Sequence, residues 1–185
     1  MLPQLYKDLE NRMKKAVEAT QGEFSAIRTG RANASLLDHV VVEAYGTEMP
    51  LRHVANVAVP DARSIVITPH DKSILGDVRK AIEKSDLGIT PNVDGNAVRL
   101  GMPALTEERR KDLVKLVHKR AEEGRVAVRN VRRDGHDHLK TAMKDSKVTE
   151  DEGRRANEQI QKLTDAHIAD IDSLVHNKEK EIMEV

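Results

Sequence analysis

Residues 106–144 read TEERRKDLVKLVHKRAEEGRVAVRNVRRDGHDHLKTAMK, a long uninterrupted helical pattern. Apolar residues recur every three or four positions, as the buried face of a helix requires. Thr106 can cap the first turn, where two glutamates complement the helix dipole. The apolar stripe comprises Leu113, Leu116, Val117, Ala121, Gly124, Val128, Val131, Leu139, Ala142 and Met143. A helix of about ten turns with such a stripe needs partners that cover it.

Two further stretches, one towards each end of the chain, show the same periodicity. They cover residues 2–27 and residues 156–182. The second is preceded by Thr149-Glu150-Asp151-Glu152, a capping-box sequence. Because no stripe can be buried alone, we predict a three-helix bundle formed by residues 1–29 and 105–185.

The segment between these helices has a different pattern, with short β-branched runs separated by glycine and proline. The predicted elements are strands over residues 38–45, 54–59, 64–68 and 97–102 and one helix over residues 71–88. We expect Pro60 to end the second strand, because proline cannot donate to a strand ladder. Residues 31–104 then form an inserted β/α/β domain, and the fold class is α+β. The two connections, near residues 30–31 and 103–105, would act as hinges.

Composition excludes several classes of protein. The 185 residues include no cysteine, 34% charged residues and 2% aromatic residues. Disulfides and thiolate metal sites are therefore excluded. No run approaches the ~20 apolar residues of a membrane span, and no secretory signal is visible, so a cytoplasmic protein is expected. The net charge of zero excludes a uniformly basic nucleic-acid-binding protein.

The sequence offers no recognisable catalytic or cofactor motif. It has neither a phosphate-binding loop nor a nucleophile elbow. His136 and His138 are two residues apart, which places them on different faces of a helix. We therefore predict no catalytic residue, no metal site and no cofactor. A small hydrolase that uses one of these histidines remains an alternative.

Charge is segregated along the chain. Residues 107–133 hold ten basic and five acidic side chains, and residues 148–185 hold five and ten. Arg125, Arg129, Arg132 and Arg133 are spaced i, i+4, i+7 and i+8, so they share one helix face. Arginine grips phosphate oxygens with two donors, and the four form a candidate phosphate-binding strip. With so few aromatic residues for stacking, contact would be to the nucleic-acid backbone. The alternative is that these arginines pair with acids on a neighbouring helix.

Several of these stretches resemble one known family. Residues 105–113 (LTEERRKDL) and residues 125–134 (RVAVRNVRRD) resemble the most characteristic segments of ribosome recycling factors. Residues 27–32 (IRTGRA) resemble the family's first hinge, and residues 85–88 and 162–165 match further signatures. The similarity extends over the whole chain.

This resemblance implies an L-shaped, tRNA-like, two-domain protein that acts as a monomer and has no active site. It implies a factor that binds large-subunit rRNA of the bacterial ribosome after termination and splits the subunits with elongation factor G and GTP. The resemblance carries rRNA contacts to Arg28, Arg129 and Arg132 and also to Arg31 and Arg133, while Arg125 is added by its spacing. The hinge residues would be Thr29, Gly30, Arg31, Pro103, Ala104 and Leu105.

Three positions depart from the family's usual pattern, and one of them is Ala44-Tyr45, where paired tyrosines are usual. Pro103-Ala104-Leu105 replaces the frequent Pro-Pro-Leu, and Gly135 stands mid-helix where Ala is more usual, at a propensity cost of up to ~1 kcal/mol. An alternative function, from a different class, is a helical-bundle or chaperone-like protein that binds a protein partner through its acidic face.

Overall fold

The computed structural model describes residues 1–184 and divides into two compact units. Unit 1 comprises Met1–Arg28 and Glu107–Glu184, and unit 2 comprises Thr29–Thr106. The predicted α+β class, with long helices and a small sheet domain, is confirmed. Within residues 1–184, no helix is both long enough and apolar enough to cross a membrane.

The elements alternate in type only inside unit 2. The helices are α1 (Leu2–Ser25), α2 (Leu51–Val54), α3 (Leu75–Lys84), α4 (Glu107–Lys144) and α5 (Glu150–Glu184). The strands are β1 (Val41–Ala44), β2 (Thr47–Pro50), β3 (Ala55–Asp61), β4 (Ser64–Pro69), β5 (Pro91–Asp94) and β6 (Ala97–Gly101). Two 3₁₀ turns cover Ala34–Leu37 and Lys72–Ile74.

Unit 1 is built from α1, α4 and α5, each of which packs against the other two. The apolar stripes predicted from the sequence form its aliphatic core. Fully buried members are Leu9, Met13, Val117, Val128, Leu139, Ile160 and Ile171. Burial of each large aliphatic side chain contributes roughly 1.5–3 kcal/mol, so the bundle is stabilised by its three stripes acting together.

Three glycines let the bundle helices approach closely. A Cβ built on Gly124 would overlap Thr20 of α1, and one built on Gly153 would overlap Met143. At Gly135 a Cβ would lie 2.6 Å from Leu9 Cδ1 and 3.2 Å from Ile160 Cδ1. The helix-propensity cost predicted for Gly135 is therefore incurred at a site where the missing side chain makes room for core residues.

The α4–α5 connection is defined by two end motifs. Ser146 has φ +55°, Lys147 N donates to Ala142 O at 2.9 Å, and the helix thus ends in a Schellman motif with serine at the left-handed position. The predicted capping box then opens α5. Glu152 N donates to Thr149 Oγ1 at 3.2 Å, and Thr149 N donates to Glu152 Oε2 at 2.9 Å.

Unit 2 contains a two-stranded sheet, β1–β2, and a four-stranded antiparallel sheet with the order β3–β4–β6–β5. Helix α3 packs against β1, β5 and β6. Side chains from α3 and from these strands form the core of unit 2, which is separate from that of unit 1. It includes Val42, Ile65, Ile67, Val78 and Val98.

The sequence interpretation of unit 2 needs three corrections. Strand β3 does not stop at Pro60 but continues to Asp61, because β3 is an edge strand whose ladder is irregular after Ala58. The first strand is shorter than predicted and covers only Val41–Ala44. The short elements β2, α2 and β5 were not predicted at all.

The two chain connections of unit 2 meet at one turn. Ala32 N donates to Ala62 O, and Met102 N donates to Arg63 O, each at 2.7 Å. Ala62 and Arg63 form the tight connection between β3 and β4. The chain therefore enters and leaves unit 2 beside two consecutive carbonyl groups.

Candidate nucleic-acid interface

The four arginines of the predicted strip lie on α4. At 100° per residue they span about 100° of its circumference, beside the buried side formed by Val128, Val131 and Leu139. Within the described residues 1–184 they divide into two that form ion pairs and two that form none. Arg125 and Arg129 are the first two, and Arg132 and Arg133 are the second two.

Arg125 is anchored to a second helix. Its Nε and Nη2 donate to Asp172 Oδ1 of α5 at 3.0 and 2.7 Å, and its Nη1 donates to Glu122 Oε2 at 3.3 Å. Only 19% of its side chain is exposed, so at this position the structure agrees with the alternative that the arginine pairs with an acid on a neighbouring helix. Partial burial lowers the pKa of Arg125, but the hydrogen bonds and charges of Asp172 and Glu122 together outweigh it, and the pKa is raised.

Arg129 is held by the same glutamate. Its Nη1 donates to Glu122 Oε1 at 2.9 Å, and 41% of its side chain is exposed. The bonds from Arg129 and Arg125 hold the pKa of the Glu122 carboxyl below its usual value. The two arginines, Glu122 and Asp172 thus form a cluster whose formal charges cancel.

The remaining candidates carry uncompensated charge. Within residues 1–184, the side chains of Arg28, Arg31, Arg132 and Arg133 make no ion pair. The acid that follows the strip does not neutralise it, since Asp134 pairs with Arg12 of α1 at 2.6 Å. Arg132 is half-buried and Arg133 is exposed. These four guanidinium groups can therefore bind phosphate without first breaking an internal ion pair.

The predicted hinge residues lie just inside unit 2. Thr29 is buried, and Gly30 adopts φ +76°, a conformation that favours glycine. A Cβ at Gly30 would lie 3.1 Å from Leu105 Cγ, so the two predicted hinge segments approach each other here. Arg31, Pro103 and Ala104 are exposed. Hinge motion itself stays a prediction.

The histidines are placed apart. His136 Nδ1 donates to Asn157 Oδ1 at 2.6 Å and so joins α4 to α5, while His138 is exposed. Over residues 1–184, no group of three or more His, Cys, Asp or Glu side chains is arranged to hold a metal ion.

Sequence reasoning missed the role of two acids. Glu122 lies three residues before Arg125 and seven before Arg129, and the first spacing is a recognised helix pairing distance. That spacing favours an ion pair, but the sequence alone does not decide between a free strip and a paired one. Asp172 could not be found, because its contact depends on how α5 is rotated against α4.

The similarity of this chain to known proteins extends over almost its whole length. The family model described as "Ribosome recycling factor" matches residues 20–183. A ribosome-recycling factor of Bacillus pumilus is 54% identical over 185 residues, which is all of both chains. Those of Thermosynechococcus vestitus and Legionella pneumophila strain Paris are 58% and 50% identical, over 96% and 100% of this chain and 98% and 100% of theirs.

Solved structures give the same result. A solution structure of the ribosome recycling factor is 42% identical with a TM-score of 0.71, and the match covers 100% of this chain and 98% of that one. A second match, with a TM-score of 0.63 and 46% identity over 98% of each chain, is a Thermus thermophilus ribosome recycling factor. That factor is described, together with Escherichia coli elongation factor G, as bound to the E. coli post-termination complex.

Proposed function

The chain belongs to the ribosome recycling factor family, and from that premise we propose that it recycles bacterial ribosomes after termination. It binds the post-termination ribosome and separates the subunits together with elongation factor G and GTP. The observation that carries this proposal is the similarity over the full length to named recycling factors, one of which is described in a post-termination complex with that partner.

The chemistry of the surface supports binding to rRNA. We assign phosphate contacts on large-subunit rRNA to Arg28, Arg31, Arg129, Arg132 and Arg133, with Arg125 at the edge of the strip. Arginine on a rigid helix offers paired donors at fixed spacing, which suits the phosphate backbone. The protein has no catalytic role in this scheme. The partner hydrolyses GTP, and the protein works as a monomer in the cytoplasm.

Movement between the two units completes the proposal. The segments Thr29–Arg31 and Pro103–Leu105 are the hinges, and the push of elongation factor G is taken up there. Two supports come from unit 2: its two connections are fixed beside Ala62 and Arg63, and Gly30 supplies a conformation that other residues adopt only at a cost. Bending is thereby confined to a few residues at each connection.

Subunit splitting tests the proposed function directly. Post-termination ribosomes of Bacillus subtilis, whose own factor is 54% identical, are mixed with this protein, elongation factor G and GTP and followed by light scattering. We expect scattering to fall only when all components are present. Failure to bind ribosomes at all would overturn the proposal and favour the helical-bundle interaction protein instead.

Charge deletion tests the assigned contacts. Arg132→Ala should weaken binding to large subunits, while Arg154→Ala, which removes an equal charge from exposed α5 surface, should not. Four guanidinium groups without ion partners in the described part of the chain predict a log–log salt slope of about −3, at ~0.7 per phosphate. A salt-independent affinity would exclude an electrostatic strip.

A further inference from the structure

Glu122 lies within the arginine strip rather than beside it. It is separated from Arg129 by seven residues, almost two full turns, so both project from the same face of α4. Each oxygen of its carboxylate is used: Oε1 accepts from Arg129 at 2.9 Å and Oε2 accepts from Arg125 at 3.3 Å. A carboxylate that bridges two guanidinium groups occupies the donors that an RNA phosphate would use.

The two arginines are not held equally. Arg125 has a second and stronger anchor in Asp172, with two donors on one oxygen at 3.0 and 2.7 Å. Arg129, within residues 1–184, has Glu122 as its ion partner. Loss of the Glu122 charge would therefore leave Arg125 fixed on α5 and would free one guanidinium group, that of Arg129.

We propose that Glu122 is an internal counter-anion that Arg129 must release before it binds an RNA phosphate, so that Glu122 limits the affinity of the strip. This inference rests on the proposed function, since it assumes that the strip binds rRNA. In this scheme Arg125 is a positioning residue. It keeps α4 and α5 in register through Asp172 and holds Glu122 over the strip.

The charge state of Glu122 supports the same scheme. Its bonds to Arg129 and Arg125 keep the pKa of the carboxyl low, and it is ionised at neutral pH. The pair is also weak enough to be exchanged. The Glu122 side chain is 55% exposed, and exposed ion pairs are screened by water and salt. A polyanion can therefore displace the carboxylate without a large penalty.

The neighbouring residue provides a matched control. Glu123 has the same charge and nearly the same exposure, 53%, but it pairs with Arg120, which is outside the strip. Glu122→Gln and Glu123→Gln change the net charge of the protein identically. Any difference between the two variants must come from the position of Glu122 within the strip and not from overall charge, and the double variant below isolates the part due to Arg129.

The experiment measures binding to purified Bacillus subtilis large ribosomal subunits over a salt series. The proteins are wild type, Glu122→Gln, Glu123→Gln, Arg132→Ala and the double variant Glu122→Gln/Arg129→Gln. We expect Glu122→Gln to tighten binding about two- to fivefold and to make binding more sensitive to salt, because the competing ion pair that it removes is itself weakened as salt rises. Glu123→Gln should change neither, and the double variant should lose the gain.

The outcomes separate this inference from its premise. If wild type does not bind, or if Arg132→Ala binds as wild type does, the proposed function of the strip fails. Suppose that wild type binds and that Arg132→Ala binds more weakly, but Glu122→Gln behaves like Glu123→Gln. The inference that Glu122 is a counter-anion is then overturned, while the proposed function stands. A gain that persists in the double variant would likewise overturn it, because the gain would not come from Arg129.

Discussion

Substitution of Gly124 by alanine should destabilise the bundle, although alanine is the better helix former. Gly124 lies inside α4, and its Cα faces Thr20 of α1, which is 4% exposed. A Cβ there would overlap Thr20 Oγ1 and would come within 3.2 Å of Thr20 Cβ and Cγ2. Thr20 would have to leave its rotamer to remove the Oγ1 overlap, and because its Cβ is fixed by the α1 backbone, α1 and α4 would also have to move apart by a few tenths of an ångström.

The expected magnitude follows from three contributions. Alanine in place of glycine gains about 1 kcal/mol of helix propensity. Forced overpacking of a close contact costs about 1–3 kcal/mol. Displacement of Thr20 Oγ1 also breaks its bond to Ala16 O, 2.9 Å long, which is worth about 0.5–1.5 kcal/mol. The balance is a net loss of roughly 0.5–3.5 kcal/mol.

Gly22→Ala is the matched control. Gly22 lies in α1 of the same bundle and has no heavy atom within 4 Å of a built Cβ, so the substitution should stabilise by up to ~1 kcal/mol. Denaturant unfolding followed by circular dichroism at 222 nm reports on unit 1, which holds the three long helices. Thr20→Ala in the Gly124→Ala background should recover part of the loss. If Gly124→Ala proved as stable as Gly22→Ala, the close approach of α1 and α4 would be refuted.

Three further substitutions test local features. Ser146→Gly should raise the stability of unit 1 by about 1 kcal/mol in the same denaturant assay, because the left-handed position of the Schellman motif favours glycine; an unchanged midpoint would argue against that turn. Gly30→Ala should lower the melting temperature of unit 2, since alanine would be strained at φ +76° and pressed against Leu105; a neutral result would contradict this local geometry. The hydrogen bonds from Thr149 lower the pKa of the Glu152 carboxyl. The stability that these bonds give the protein is therefore fully present above the unfolded-state pKa, about 4.3, and is lost as pH falls through the folded-state pKa. Glu152→Gln should therefore be less stable than wild type at pH 7 and approach it at pH 3, and a pH-independent difference would exclude the carboxylate cap.

The long helices were predictable because their signals are repeated many times. Each stripe offers the 3.6-residue period over several turns, and the capping box at Thr149 adds an independent start signal. The small strands lacked such redundancy. Strand β5 has four residues and begins with Pro91, and proline is normally evidence against a strand. It is tolerated because β5 is at the edge of its sheet.

The placement of the candidate arginines on one face of α4 was predictable from the sequence, but their pairing was not. The spacing of the arginines placed them on one face of α4, and that face is where the structure has them. Which arginines are engaged depends on a contact across the bundle between Arg125 and Asp172, 47 residues apart in the chain. Such a contact is set by helix rotation, which a linear pattern does not encode.

The discontinuity of unit 1 has a consequence for its biosynthesis. Helix α1 ends at Ser25 and its partner α4 begins at Glu107, with the whole of unit 2 between them. At ~5–20 residues per second, translation of the ~80 intervening residues takes roughly 4–16 s. During that time unit 2 can fold from its own contacts, whereas the apolar face of α1 remains exposed and the helix is marginal alone. Those seconds are the period in which a nascent-chain chaperone would act, and its target would be the first 25 residues.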